Sequence, residues 1–316
     1  MSQNNTLAGL CAGIDTGKKY LDYAVAGGKD AFRDGNDIEG RARLSAALKS
    51  RGVQRVGIEA SGGYEREIVA ELRASGFEVV VHQPHRVRAY AKFKGVRAKN
   101  DRVDAMLIAA CTAAQTQSRD APDPRLAPFS EHLTFIDQLT EDIARAKIRR
   151  ESQRDPRLKK LTNEQIKRLT TTRRDELRQL ANAIKAHADL ARRLEVLLSI
   201  QGIGPPTAIA LVVRMPELGT ITREQAASLV GAAPFDHDSG QHRGQRRIAG
   251  GRARVRTALF AATQAAARQW NPALIALYNR LVKAGKPHNV AIIACVRKMI
   301  IFANTVLAKN QLWEVR

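Results

Sequence analysis

Cysteine is scarce: three residues in 316, at positions 11, 111 and 295, isolated from one another. That spacing excludes a disulfide framework and argues against a zinc site, and it points to a reducing cytoplasm. No segment approaches the ~20 uninterrupted apolar residues of a membrane span. The opening Met-Ser-Gln-Asn-Asn lacks the basic and apolar regions of a signal peptide, so a cytoplasmic protein is expected. Aromatics make up 5% of the chain, and neither Trp270 nor Trp313 lies in a basic–aromatic pattern. Both are therefore expected to pack rather than to stack on bases. Acids are also in short supply: 31 Asp and Glu stand against 52 Lys and Arg, a net charge of +21. Such an excess calls for a polyanionic partner, nucleic acid being the commonest.

The few acids are placed suggestively. Lys99-Asn100-Asp101-Arg102-Val103-Asp104-Ala105 sets two carboxylates three residues apart at the head of an apolar helical run, Met106 to Cys111. On a helix these positions share a face and can reach one point in space. Arg86, Arg88, Lys92, Lys94, Arg97, Lys99 and Arg102 surround them. An acid pair ringed by cations suits a metal-dependent phosphodiester enzyme, the acids holding Mg²⁺ and the cations the nucleic-acid backbone. By itself the pair equally suits a helix N-terminus, whose dipole favours Asp.

Leu10 to Ile14 reads as a short buried strand ending at Asp15, with Tyr20 to Ala26 returning at hairpin spacing. A turn at Gly27-Gly28 and a short helix from Ala42 to Leu48 follow. Arg55 to Ile58 is a strand that delivers Glu59 at its end, Tyr64 to Ala74 is helical, and Phe77 to Val81 is a strand stopped by Pro84. A hairpin followed by strand–helix alternation describes a mixed α/β sheet with a parallel portion. Asp15 and Glu59 fall at the C-terminal ends of strands, the edge where open α/β sheets collect ligands. If the helix carrying Asp101 and Asp104 packs there, four acids converge, and a bound cation relieves their repulsion.

Pro122 and Pro124 close this region. From Phe129 to Leu198 the chain is nearly free of glycine, broken only by Pro156, with apolar steps of an antiparallel helical hairpin or coiled coil. Its turn, Arg145 to Lys160, holds eight basic residues against two acids. A dimerising, nucleic-acid-contacting arm is expected. Ser199 to Ala208 reads as helix, glycine turn, helix: Gly202 and Gly204 let the backbone turn tightly, and the following helix N-terminus would offer free N–H groups to a phosphate. This resembles the helix-hairpin-helix DNA-backbone motif, or the stretch is simply a tight helical turn. From Ser239 to Arg256 there are six arginines and no acid, among them Arg243, Arg246, Arg247 and Arg252. Such a loop suits an anion, and Ser239 beside Gly240 is an accessible hydroxyl, either a nucleophile or an ordinary turn residue. The tail, 257–267 and 272–307, is helical.

Gly13-Ile14-Asp15-Thr16, Ile58-Glu59-Ala60-Ser61-Gly62-Gly63-Tyr64 and Lys99 to Ala105 resemble the three blocks of the DEDD-type insertion-sequence transposases, with Ser61 where members more often carry Thr. Pro234, Ser239-Gly240, Arg243-Gly244, Ile248, Gly250-Gly251-Arg252, Val255-Arg256 and Leu259 resemble the C-terminal domain of the same family. The resemblance runs from about residue 10 to about residue 300. It implies an α/β plus all-α architecture: an RNase H-like (RuvC-like) domain over 1–125, a helical coiled-coil arm over 126–198, and a mainly helical transposase domain over 199–316. It further implies that Asp15, Glu59, Asp101 and Asp104 bind Mg²⁺, that Ser239 is the catalytic serine, and that the enzyme acts on donor and target DNA with an element-encoded guide RNA, as a homodimer or higher oligomer away from membranes. The alternatives are a junction-resolving nuclease that uses water, with the C-terminal domain as a DNA clamp, and a non-catalytic nucleic-acid-binding protein.

Overall fold

The computed structural model describes residues 10–96, 100–115, 123–235 and 247–314. The chain divides into two compact units, residues 1–122 and 123–316, and the arm's helices belong to the second.

The first unit is built around β1 (Leu10–Thr16), a strand buried along nearly its whole length. On one side it pairs antiparallel with β2 (Tyr20–Val25), and β2 pairs antiparallel with β3 (Ala31–Gly35). On its other side it pairs parallel with β4 (Val53–Glu59), which pairs parallel with β5 (Glu78–His82). The resulting order is β3-β2-β1-β4-β5, a mixed five-stranded sheet. β3 and its carried residue Arg33 were absent from the sequence reading, because Ala-Phe-Arg-Asp-Gly lacks the β-branched alternation that marks a strand.

Alternation divides the sheet into two unlike faces. Ala12, Ile14, Leu21, Tyr23, Val56 and Ile58 form one buried core with Leu44 and Leu48 of α1 (Ile38–Ser50) and Ile68, Val69 and Leu72 of α2 (Arg66–Ala74). Each Val, Leu or Ile among them, fully buried, contributes about 1.5–3 kcal/mol. The opposite face carries Gly13 and Gly57 and takes α4 (Asp101–Ala113). A Cβ on Gly13 would overlap the backbone of Ala105 and Ala109, and one on Gly57 would overlap the Thr112 hydroxyl. The missing side chains therefore let α4 lie directly on β1 and β4. Pro84, read from sequence only as a strand stop, also opens a helix, α3 (Pro84–Phe93), at the first-turn position where its missing N–H costs nothing.

The second unit begins with α5 (Leu126–Ser152) and α6 (Pro156–Lys185). Asp155 caps α6 by accepting from the Arg157 N–H, and Pro156 follows at the first helical position. His132 meets Glu176 at 2.8 Å and Thr162 meets Gln153 at 2.9 Å, so the two helices run antiparallel. Then come α7 (Ala188–Leu198), α8 (Pro205–Arg214), α9 (Arg223–Val230), β6 (Pro234–Phe235), β7 (Arg247–Ile248), α10 (Ala253–Ala265), a π-helical turn (Ala266–Trp270), α11 (Pro272–Lys283) and α12 (His288–Lys309). α12 is long and apolar enough to cross a membrane by length and composition, with a mean hydropathy of 1.9. Here it is the central helix of a core, burying Ile292, Cys295, Val296, Met299, Ile300 and Ala303 among α7, α9, α10 and α11.

Candidate active site

Strand register lines up polar groups in a row across the sheet, on the face covered by α4. Asp15 stands opposite Asp22, and Asp22 opposite Arg33. Across the parallel pair Ile14 stands opposite Ile58, which brings Glu59 beside Asp15, and Glu59 in turn is opposite His82. The N-terminus of α4 meets this row. Asn100 caps the helix by accepting from the Val103 N–H at 2.9 Å, so Asp101 and Asp104 both fall in the first turn. Asp15 lies within the field of the other three acids. Burial first, then the charges of Asp104, Asp101 and Glu59, push the Asp15 carboxyl up to about 6. A cavity of about 190 Å³ opens beside Asp15, lined also by Asp22, Arg33, Asp101 and Lys18.

The loop after Glu59 is tied by a residue the sequence reading passed over. One Glu65 oxygen accepts from the Ser61 hydroxyl at 2.9 Å, the Ser61 N–H at 3.1 Å and the Gly63 N–H at 2.8 Å. Burial pushes the Glu65 carboxyl up, but these hydrogen bonds outweigh it and leave it below the usual carboxylate range. Ser61 thus serves the loop's shape, and either a Ser or a Thr hydroxyl supplies the same donor.

Ser239, Arg243 and Arg246 lie outside the described residues, as do Arg97 and Lys99. The flanks of the serine segment are described. β6 pairs antiparallel with β7, Pro234 opposite Ile248 and Phe235 opposite Arg247. Just beneath, Gly231 and Gly251 meet backbone to backbone, both with positive φ, and Arg256 donates to the carbonyl oxygens of Val230 and Gly250.

Two family models match the chain. One, a DEDD transposase model described as "Transposase", covers residues 12–153; the other, described as "Transposase IS116/IS110/IS902 family", covers residues 194–279. The first spans all four acids and the second spans Ser239. The chain belongs to the DEDD-type insertion-sequence transposases. The pilin gene-inverting proteins of Moraxella bovis and Moraxella lacunata are each 26% identical to it over 268 residues, 82% of this chain and 81% of theirs.

DEDD domains of this kind typically use divalent metal ions. In this transposase the donor set fits such an ion by chemistry: four hard carboxylates, one of them, Asp15, raised toward neutrality by burial and then by the charges of the other three. Their side chains do not yet converge. Among the described residues no three Asp, Glu, His or Cys side chains stand close enough to hold an ion. One cause is visible at Asp101, whose carboxylate lies 2.9 Å from Arg33 Nη2.

The cations named from sequence take up different positions in the transposase. Arg86, Arg88 and Lys92 lie on α3, Lys94 caps its end, and Arg102 lies in the first turn of α4. Arg247 is exposed on β7. Arg252 is tied within the fold, to Glu217 and to the Arg214 carbonyl oxygen at 2.6 Å. Gly202 packs against Ala266, where a Cβ would overlap the Ala266 side chain, and its φ of 101° requires glycine. Two of the N–H groups expected at the start of α8 are missing, because Pro205 and Pro206 occupy its first two positions. Trp313 packs on Phe302 with ring centroids 4.3 Å apart, as expected, but Trp270 is 54% exposed at the end of the π-helical turn. That corrects the expectation for Trp270.

Sequence reasoning missed Asp22, Arg33, Glu65 and the two glycines under α4. Hairpin register was the available signal for Asp22: with Tyr23 facing Ile14 across the hairpin, Asp22 must face Asp15.

Proposed function

We propose that this transposase is a site-specific recombinase that cuts and rejoins DNA through a serine-linked intermediate, with Asp15, Glu59, Asp101 and Asp104 as the ligands of Mg²⁺. The observation that carries the reading is the placement of the four acids, Asp15 and Glu59 side by side at the ends of β1 and β4 and Asp101 and Asp104 in the first turn of the helix that lies on those strands. The strand order, with β2 alone antiparallel to β1, is consistent with the RNase H-like fold that the resemblance implies. When bound, the metal would polarise the scissile phosphate and stabilise charge on the departing oxygen. Asp15 and Glu59 fix two ligands on the rigid sheet, while Asn100 and the glycine contacts set where α4 offers the other two.

Ser239 Oγ forms a bond to phosphorus as the phosphorus–sugar oxygen bond breaks, and the hydroxyl proton ends on the departing oxygen. The phosphodiester energy is kept in the serine ester, and reversal on a second DNA end rejoins the strand. Arg243, Arg246 and Arg247 supply positive charge near the reacting phosphate. The gene-inverting relatives support rejoining over simple hydrolysis, since inverting a segment restores every bond that it breaks. Donor and target DNA, an element-encoded guide RNA and a homo-oligomer complete the reading. With a charge of +21, nucleic-acid affinity should fall on the order of 10³-fold between 50 and 200 mM salt.

The test is adduct capture on a nicked suicide DNA substrate. Wild type with Mg²⁺ is expected to form a covalent protein–DNA species that mass spectrometry maps to Ser239. Ser239→Ala should bind DNA and form none, and Asp101→Asn or EDTA should abolish cleavage. Free DNA ends produced at the wild-type rate by Ser239→Ala would mean that water is the nucleophile.

A further inference from the structure

Asp22 is buried, and it is the partner of Arg33 in a fork of two hydrogen bonds, Nε to Oδ1 at 3.0 Å and Nη2 to Oδ2 at 2.9 Å. A buried carboxylate needs such a partner, because leaving it unpaired is costly. The same Nη2 also reaches Asp101 Oδ2 at 2.9 Å. The two acids differ in what they would lose without it. The Asp22 side chain is 6% exposed and held by both arms of the fork, whereas the Asp101 side chain is 64% exposed and held by one. Asp101 can leave without stranding a buried charge; Asp22 cannot.

We propose that Arg33 is a resident counter-cation of the acidic site, anchored by the buried Asp22, which holds Asp101 at the sheet until an incoming divalent ion takes that carboxylate over. The proposal rests on the reading of Asp15, Glu59, Asp101 and Asp104 as a metal site. It also accounts for Asp101 pointing to an arginine rather than to a centre shared with the other acids. Arg33 and the metal compete for Asp101, and Asp22 keeps Arg33 from following it.

The competition predicts opposite signs for two substitutions, which a purely structural role does not. Mn²⁺ is titrated calorimetrically into the metal-free full-length protein, with circular dichroism confirming that each variant is folded. Arg33→Gln removes the competitor and should bind Mn²⁺ on the order of 5-fold more tightly than wild type, the scale of one lost ion pair. Asp22→Asn releases the anchor, leaves Arg33 to Asp101 alone, and should bind Mn²⁺ several-fold more weakly. Thermal melts provide a second readout: Arg33→Gln should melt below wild type in EDTA, and the gap should narrow in saturating Mn²⁺. Equal or weaker Mn²⁺ binding by Arg33→Gln, or a melting gap unchanged by Mn²⁺, would overturn the proposal. If Mn²⁺ bound to wild type with the same affinity as to Asp101→Asn, the metal-site reading itself would fail, a distinguishable result.

Discussion

In the N-terminal unit the candidate reactive groups come from separate segments, residues 15, 59 and 101–104, and rigid backbone contact sets their meeting point. In the C-terminal unit the candidate nucleophile and its arginines follow one another along a single stretch, and what the fold supplies is a base: a two-stranded pair, Gly231 and Gly251 in contact, and Arg256 donating to the carbonyl oxygens of the residues just before them, Val230 and Gly250. The difference fits their proposed tasks. A metal site needs ligands fixed within fractions of an ångström, which strands and a helix N-terminus provide.

Glycine-mediated contact is common to both units, and it is where the comparison breaks most sharply. Gly13→Ala would thrust a methyl into the backbone of α4 and lift Asp101 and Asp104 away from Asp15. A displacement of about 1 Å at a reacting centre costs on the order of 100-fold in rate, so metal-dependent cleavage should fall at least that far. Cleavage assays beside a far-ultraviolet spectrum would separate displacement from unfolding; wild-type cleavage would mean that α4 is not the gauge of the site. At the base of the serine segment, Gly251→Ala meets both a positive φ of 70° and the backbone of Gly231. A stability loss of about 3 kcal/mol is expected in urea denaturation, borne by the C-terminal unit.

The two units should also part company in acid. Thr112 Oγ1 donates to the Ile108 carbonyl oxygen at 2.7 Å and so accepts from His82 Nε2 at 2.8 Å, which puts a proton on Nε2. Burial, then the charges of Arg86 and Arg55, hold His82 down at about 4 against an ordinary 6.5. Its folded value lies below its unfolded one, so the unfolded chain takes up the proton first. The contribution is complete above about pH 6.5 and is lost as the pH falls toward 4. Between pH 7 and pH 5 the His82 contribution should fall by about 2 kcal/mol, while Asp15 of the same unit, raised to about 6, takes up its proton first in the folded state and offsets part of that loss. The His82 share is the difference between wild type and His82→Gln in denaturant titrations at the two pH values; identical pH dependence in the two would assign it elsewhere.

The smallest effect concerns the two tryptophans. Trp270→Ala should change stability by no more than about 0.5 kcal/mol, as expected of an exposed side chain, whereas Trp313→Ala removes a ring packed on Phe302 and should cost roughly 3 kcal/mol. Thermal melts of the two variants would invert that order if Trp270 were the packed one.

Much of this was legible in the sequence because it is local. Strand ends at Asp15 and Glu59, the Asn100 cap with two acids in the first turn, the Pro156 break between two long helices, and the charge of +21 depend on residues near one another or on composition alone. What only the tertiary structure decided involves pairs far apart in the chain. β3 is a strand because β2 pairs with it, and that pairing sets Arg33 against Asp22. From there Arg33 reaches Asp101, 68 residues on, a contact that no spacing rule announces. Gly13 and Gly57 looked like ordinary strand glycines until α4 lay on them. Local sequence determines which residues a helix or strand presents at its end. Register and close approach, which depend on the surfaces of two segments at once, decide which of those residues meet.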